Sequence, residues 1–144
     1  MKVIKIAQAP PRSIQVDDTV QSAIAHMGAE AGCAVAVLDG ARLAGTLSKD
    51  DVLTRLVAAG LSPTSTKVGE IMTSPPATVN LETEADEALR LMFSLKQCYL
   101  PVVDDAGTMK GWVAICNLFQ NNVEDLTGQL ESLAAYIAAD GPGG

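Results

Sequence analysis

The chain has 144 residues, of which 48% are hydrophobic, and a formal net charge of −7. That length can bury a real core, as one compact unit or as two small halves sharing one. The acidic balance, with only two Phe, two Tyr and one Trp, argues against nucleic acid or an anionic membrane as partner of the whole surface, while a local pocket can still take a small anion. No apolar run approaches the roughly 18 residues of a membrane span. The first residues, MKVIKIAQAPPRS, lack the apolar core of a signal peptide, so a soluble cytoplasmic protein is expected.

A Pro-Pro turn at residues 10 and 11 opens the pattern, because proline cannot continue a helix. The residues after it predict a short strand over 13–16. Val20, Ala23, Ile24 and Met27 have helical spacing. Two strands, 34–38 and 42–47, follow, joined by an acidic, glycine-containing turn. Then comes GTLSKDDV, residues 45–52, ahead of a helix predicted over 49–59. Ser48 stands three residues before Asp51, which is a loose capping box: the hydroxyl accepts from a first-turn N–H and the carboxylate sits at the positive helix end.

The pattern then restarts. With an offset of 65, Lys2, Val3, Ile6, Pro10 and Pro11 fall on Lys67, Val68, Ile71, Pro75 and Pro76. The same offset carries Ala23 onto Ala88, Met27 onto Met92, Cys33 onto Cys98, Val37 onto Val102 and Asp39 onto Asp104. One inserted residue later, GTLSKDDV lies over GWVAICNL, residues 111–118. So many identities at one offset make the chain a tandem duplication. The second half predicts a strand over 78–81, a helix carrying Ala85, Ala88, Leu89 and Met92, strands over 99–103 and 109–114, and a helix from Ile115 onward. Each unit is β-α-β-β-α, a mixed α/β (α+β) fold. The apolar strands VAVL and LPVV suit burial on both sides, so the two units are expected to pack sheet to sheet with pseudo-twofold symmetry.

These stretches, with VGEIMTSPPATV and YLPVVDDAGTMKG, resemble a tandem pair of CBS domains, the module named after cystathionine β-synthase, of the stand-alone bacterial type. The resemblance covers about residues 2–122. It divides the chain into a first unit over 1–62, a second over 63–122, and a C-terminal amphipathic helix with a flexible tail over 123–144. It implies a non-catalytic regulatory sensor that binds an adenine nucleotide between the units, with AMP, ADP, ATP, NAD and S-adenosylmethionine as candidate ligands, and it implies a homodimer.

By the same resemblance, Asp51 would accept from the ribose hydroxyls and Ser48 would bond to ribose or the first phosphate, near a helix start that favours anions. Ile14, Ala34, Val35 and Ala36 would enclose adenine, while Arg12 and Ser13 in the entry loop would approach a phosphate. The second unit departs from the pattern, with Ala114 in place of the hydroxyl and Asn117 in place of the carboxylate. Asn accepts through its carbonyl but without the charge that strengthens such bonds. Thr78, Val79, Tyr99, Leu100 and Pro101 would form its adenine pocket, and the site on Ser48 and Asp51 is expected to be the stronger. Read without the resemblance, Ser48 and Asp51 simply cap a helix. Lys49 and Lys96 are ordinary solvated lysines or screen a ligand phosphate. Met27, Met72 and Met92 are core fillers, and His26 lies on a helix surface.

Cys33, Cys98 and Cys116 show no metal-type spacing, and an odd count does not suit a disulfide framework. With a single histidine no zinc site is expected, and no Ser/His/Asp set or P-loop is present. The last segment departs from the repeat. Phe119, Val123, Leu126, Leu130, Leu133 and Ile137 alternate by four and three residues, a coiled-coil stripe that either folds back on its own unit or docks a second copy or another protein. Gly128 weakens that helix, and DGPGG reads as a flexible end. A ligand-free dimerisation or interaction module is the alternative function.

Overall fold

The computed structural model describes residues 1–9, 12–29 and 34–139. The Pro-Pro turn at 10 and 11, Cys33 and the DGPGG end lie outside the described residues.

Each half builds one three-stranded sheet. In the first, β1 (Ser13–Gln15) runs parallel to β2 (Ala34–Asp39), which pairs antiparallel with β3 (Arg42–Ser48). In the second, β4 (Val79–Asn80), β5 (Tyr99–Val103) and β6 (Met109–Ala114) repeat that order. Both central strands carry a register shift at the equivalent place, between Val37 and Leu38 and between Val102 and Val103. The crossover helices are α1 (Val20–Ala29) and α4 (Ala85–Leu95). β3 leads into α2 (Lys49–Asp51), which continues with π-helical winding over Val52–Val57. α3 is a single turn, Val68–Ile71, and α5 runs from Ile115 to Ala139. The β-α-β-β-α grammar read from the sequence is therefore present twice, with short strands one or two residues tighter than expected.

Three clusters hold the molecule together. Period-2 alternation divides each central strand between two of them. On β2, Val35 and Val37 face the first unit's helices, in a core with Ile14, Val20, Met27, Leu47 and Leu56. Ala34 and Ala36 face the other way, toward Tyr99, Met109 and Trp112 of the second unit. On β5, Leu100 and Val102 enter the second core with Met92, Val113 and Leu118. The middle cluster is the sheet-to-sheet contact expected from the apolar strands. Its small alanines face a stacked pair of aromatics, the Tyr99 and Trp112 rings lying 4.9 Å apart and 8° from parallel.

Sequence reading does not reveal that the two units exchange their lead-in segments. Val3, with Ile4, Ile6 and Ala7, packs into the second unit's core. Val68, Ile71 and Met72 pack into the first unit's. Each lead-in is tied to its host by backbone bridges, Lys2 to Glu84 and Gln8 to Trp112 on the second unit, and Lys67 to Thr19 and Thr73 to Thr46 on the first. Gly45 and Gly111, equivalent in the repeat, allow that close approach. A Cβ at Gly45 would lie 2.6 Å from the Thr73 carbonyl oxygen, and one at Gly111 would lie 2.8 Å from the Ala7 Cβ.

Candidate functional site

Ser48 ends β3 in extended backbone (φ −102°, ψ 165°) and caps α2. Its Oγ accepts from the Asp51 N–H at 3.1 Å, and its own N–H donates to Asp51 Oδ2 at 3.0 Å. The capping box read from GTLSKDDV is thus reciprocal. Asp51 is 7% exposed. Its carboxylate also accepts from the Thr73 hydroxyl, which lies 3.0 and 3.1 Å from the two oxygens, and Arg55 Nε approaches at 3.9 Å. Arg55 in turn donates to the carbonyls of Ile71 and Met72. One capping turn therefore holds the lead-in of the other unit. Thr73 is the partner that sequence reading missed. The repeat itself could have pointed to it, because its equivalent is Gln8, a residue that bridges to the second unit.

The second unit keeps half of this arrangement. Asn117 Oδ1 accepts from the Ala114 N–H at 3.1 Å, which reproduces the bond from Ser48 N–H to Asp51. Ala114 has no side-chain oxygen to return the cap, so the second turn lacks the reciprocal bond.

A cavity of about 320 Å³ opens beside the first turn, between the units. Ser48, Lys49 and Asp50 line one wall, while Lys96, Gln97, Cys98 and Tyr99 line the other. Two cations and one carboxylate around this cleft make it locally more basic than a chain of net charge −7. Lys96 is placed there by its backbone: it closes α4 in the left-handed conformation, φ 55° and ψ 42°, as helix-ending residues commonly do. The Gln97 side-chain amide donates to the Tyr99 carbonyl at 3.2 Å, which fixes the loop leading into β5. The two lysines left open in the sequence reading thus face one cleft.

The structure brings some of the expected site residues together and separates others. Ala34 pairs with Ser48 across the β2–β3 ladder and clusters with Ala36 and Tyr99, so these four lie around the inter-unit seam. Asp51 lies one turn behind Ser48, largely covered. Val35 and Ile14 face the first core, and Leu100 and Val79 the second. Pro101 is buried on β5, while Arg12 and Ser13 are partly buried at the start of β1; none of the three lines the Ser48 cavity. Thr78 and Val79 line a different cavity of about 290 Å³, with Asn80, Thr83, Glu87, Leu91 and Val103. Among its described lining residues the one charged side chain is Glu87, which opposes a phosphate. Among the described residues no group of three or more His, Cys, Asp or Glu could hold a metal ion. No described helix is long and apolar enough to cross a membrane.

The doubled architecture meets the comparisons with known proteins directly. The CBS domain family model matches twice, over residues 3–58 and 68–121. The chain belongs to the CBS-domain family. A mitochondrial CBS domain-containing protein of Arabidopsis thaliana is 36% identical over 126 residues, 84% of this chain and 61% of that protein. A second CBS domain-containing protein of the same plant is 32% identical over 103 residues, 69% of this chain but 18% of that protein. The chain thus spans about three fifths of the first relative and under a fifth of the second. Among solved structures, a proposed signal-transduction protein with CBS domains from Burkholderia ambifaria matches with a TM-score of 0.77 and 29% identity, over 87% of this chain and 96% of that one. An Arabidopsis CBS-pair protein solved in complex with AMP shares the fold, with a TM-score of 0.73 and 22% identity over 85% of this chain and 96% of that one. The CBS pair read from the sequence, and its α+β class, are those of the family.

Proposed function

We propose that this CBS pair is a regulatory module that binds an adenine nucleotide in the cleft between its units, at the cavity lined by Ser48, Lys49 and Lys96. The observation that carries this reading is the pairing of two lysines with a capped helix start in an otherwise acidic chain. The cleft is shared, so a ligand in it would touch both units at once. It would therefore favour one arrangement of the units over another, which is what regulation by a ligand requires. The AMP complex of the structural neighbour supports the same class of ligand.

Charge orders the candidates. Two ammonium groups favour AMP, ADP, ATP and NAD, which carry phosphate, over S-adenosylmethionine, whose sulfonium is cationic. The second turn, with Ala114 and Asn117 in place of the hydroxyl and the carboxylate, offers the weaker site. Transmission to another protein, rather than turnover, is the output.

A second reading is a module with no physiological ligand, which dimerises or docks another protein. One observation favours it: the Asp51 carboxylate already serves Ser48, Thr73 and Arg55, and its side chain is 10% exposed. Titration calorimetry with AMP, ADP, ATP, NAD and S-adenosylmethionine separates the two readings. The expected result is about one phosphorylated ligand bound per chain, weakened about tenfold in Lys49→Ala/Lys96→Ala. Two equal sites would overturn the asymmetry. No binding, from protein shown to release no nucleotide on denaturation, would leave the ligand-free module.

A further inference from the structure

The C-terminal helix departs from the repeat and from its own body. Among the described residues, Leu118 is the last side chain of α5 in the second core, 1% exposed. Beyond it Leu126, Leu130, Leu133, Tyr136 and Ile137 are 55–67% exposed. Among the described residues the helix does not fold back on its unit beyond Leu118, and these apolar side chains stay uncovered. Phe119 marks the exit, its ring 6.2 Å from that of Phe93 on α4.

The spacing of the stripe specifies the occupant. From Phe119 to Ile137 the steps are four, three, four, three and four residues, the alternation of a left-handed coiled coil. Val123, Leu130 and Ile137 take the a positions, while Phe119, Leu126 and Leu133 take d. Two of the three a residues are β-branched and two of the three d residues are Leu, a combination that favours two parallel strands. The flanking e and g positions are Gln120, Thr127 and Ala134, and Asn122, Gln129 and Tyr136. None is charged, so nothing in the flanks selects a partner of opposite charge. The acidic residues Glu124 and Glu131 fall at b, away from the seam. They give this face no like-charge repulsion against its own copy, although α5 contains no Lys or Arg to offset them. Gly128 falls at f, on the outer surface, with nothing within 4 Å of where its Cβ would be. It lowers helix propensity without opening a gap in the stripe.

We propose that α5 pairs with α5 of a second copy as a parallel, in-register two-stranded coiled coil about 27 Å long, which sets two CBS pairs side by side at one end. Sedimentation equilibrium of the full chain tests it. The Leu126→Glu/Leu133→Glu variant changes only exposed side chains, so the two cores fold as before. It is expected to halve the sedimenting mass, whereas Glu124→Lys/Glu131→Lys, at b, leaves the mass unchanged. Ile137→Cys in a Cys116→Ser background is expected to cross-link through the new cysteine on mild oxidation, because only a parallel, in-register pair brings the two copies of that end of the stripe together. A monomeric full chain, a mass unaltered by the Leu126→Glu/Leu133→Glu change, or no cross-link beyond that of the background would each overturn the proposal. None of these readouts depends on nucleotide binding.

Discussion

The turn at Ser48–Asp51 and the turn at Ala114–Asn117 occupy the same place in two copies of one unit, yet they do different amounts of structural work. The first closes a reciprocal box, accepts a hydroxyl from the exchanged lead-in and abuts Arg55. The second keeps one bond, from the Ala114 N–H to the Asn117 side-chain oxygen. A duplicated fold needs only that one bond to start its last helix. The additional groups in the first turn tie it to the other unit's lead-in and set it beside the inter-unit cavity. Asymmetry between copies is therefore the signature that separates what the fold requires from what this chain has added or kept.

The exchanged lead-ins offer the largest expected effect. Gly45→Ala pushes a methyl group against the Thr73 carbonyl, which accepts from Thr46 N–H at 3.0 Å, so relief must break the bridge between units. Gly111→Ala meets the Ala7 methyl and the flexible end of Ile4. Overpacking of this kind costs about 1–3 kcal/mol. We expect about 3 kcal/mol at Gly45 and about 2 kcal/mol at Gly111 by urea unfolding. Equal costs would mean that the two crossings are equally rigid.

Next come the turns themselves. Asp51→Ala removes the acceptor for a backbone N–H and for the Thr73 hydroxyl inside a nearly closed site. Unsatisfied buried donors cost about 1–3 kcal/mol, and we expect about 2 kcal/mol. Asn117→Ala removes one half-buried bond, worth about 1 kcal/mol. If the two substitutions lower the unfolding midpoint equally, the first turn has no structural role beyond the second's. Any loss of ligand at Asp51 would then be a direct effect of the missing carboxylate.

Much of this was legible in the sequence, for a physical reason. Strand alternation, helical spacing and turn residues are local, and a duplication prints them twice, so β5 and β6 were bounded to the residue. The cap at Ser48 and its weakened copy at Ala114 were likewise written in adjacent residues. What stayed hidden depends on distant parts of the chain. The apolar pattern of Val3 and Ile6, or of Val68 and Ile71, shows that a face is buried but not which unit buries it. Asp51 does not reveal that Thr73 reaches its oxygens. Nor does the pattern of Ile14, Val35 and Leu100 say which face of the sheet they occupy; register decided that, and it turned them into the two cores. Lys49 and Lys96 each read as either solvated or set to screen a phosphate, and only the seam shows that both line one cavity.

The smallest expected effect compares the two lead-in lysines, Lys2 and Lys67, which the repeat makes equivalent. Lys67 works through its backbone, its N–H donating to the Glu70 carboxylate at 2.6 Å. Lys2 has Lys5 where Lys67 has Glu70, so it lacks that bond and pairs through its ammonium with Glu82 at 2.5 Å. That side-chain bond, and then the charge of Glu82, raises the Lys2 pKa above its ordinary value. A cation whose folded pKa is raised contributes stability that is whole at neutral pH and is lost as pH climbs through the folded value. The pair is on the surface, where salt screens it. Lys2→Met should therefore lower the melting temperature by less than any substitution above. The difference from wild type should vanish in 1 M NaCl and again above the lysine's titration. Lys67→Met should show neither dependence, because its bond to Glu70 is made by the backbone. A Lys2 effect that survives both salt and high pH would instead place its contribution in the packing of the aliphatic stem against the second unit.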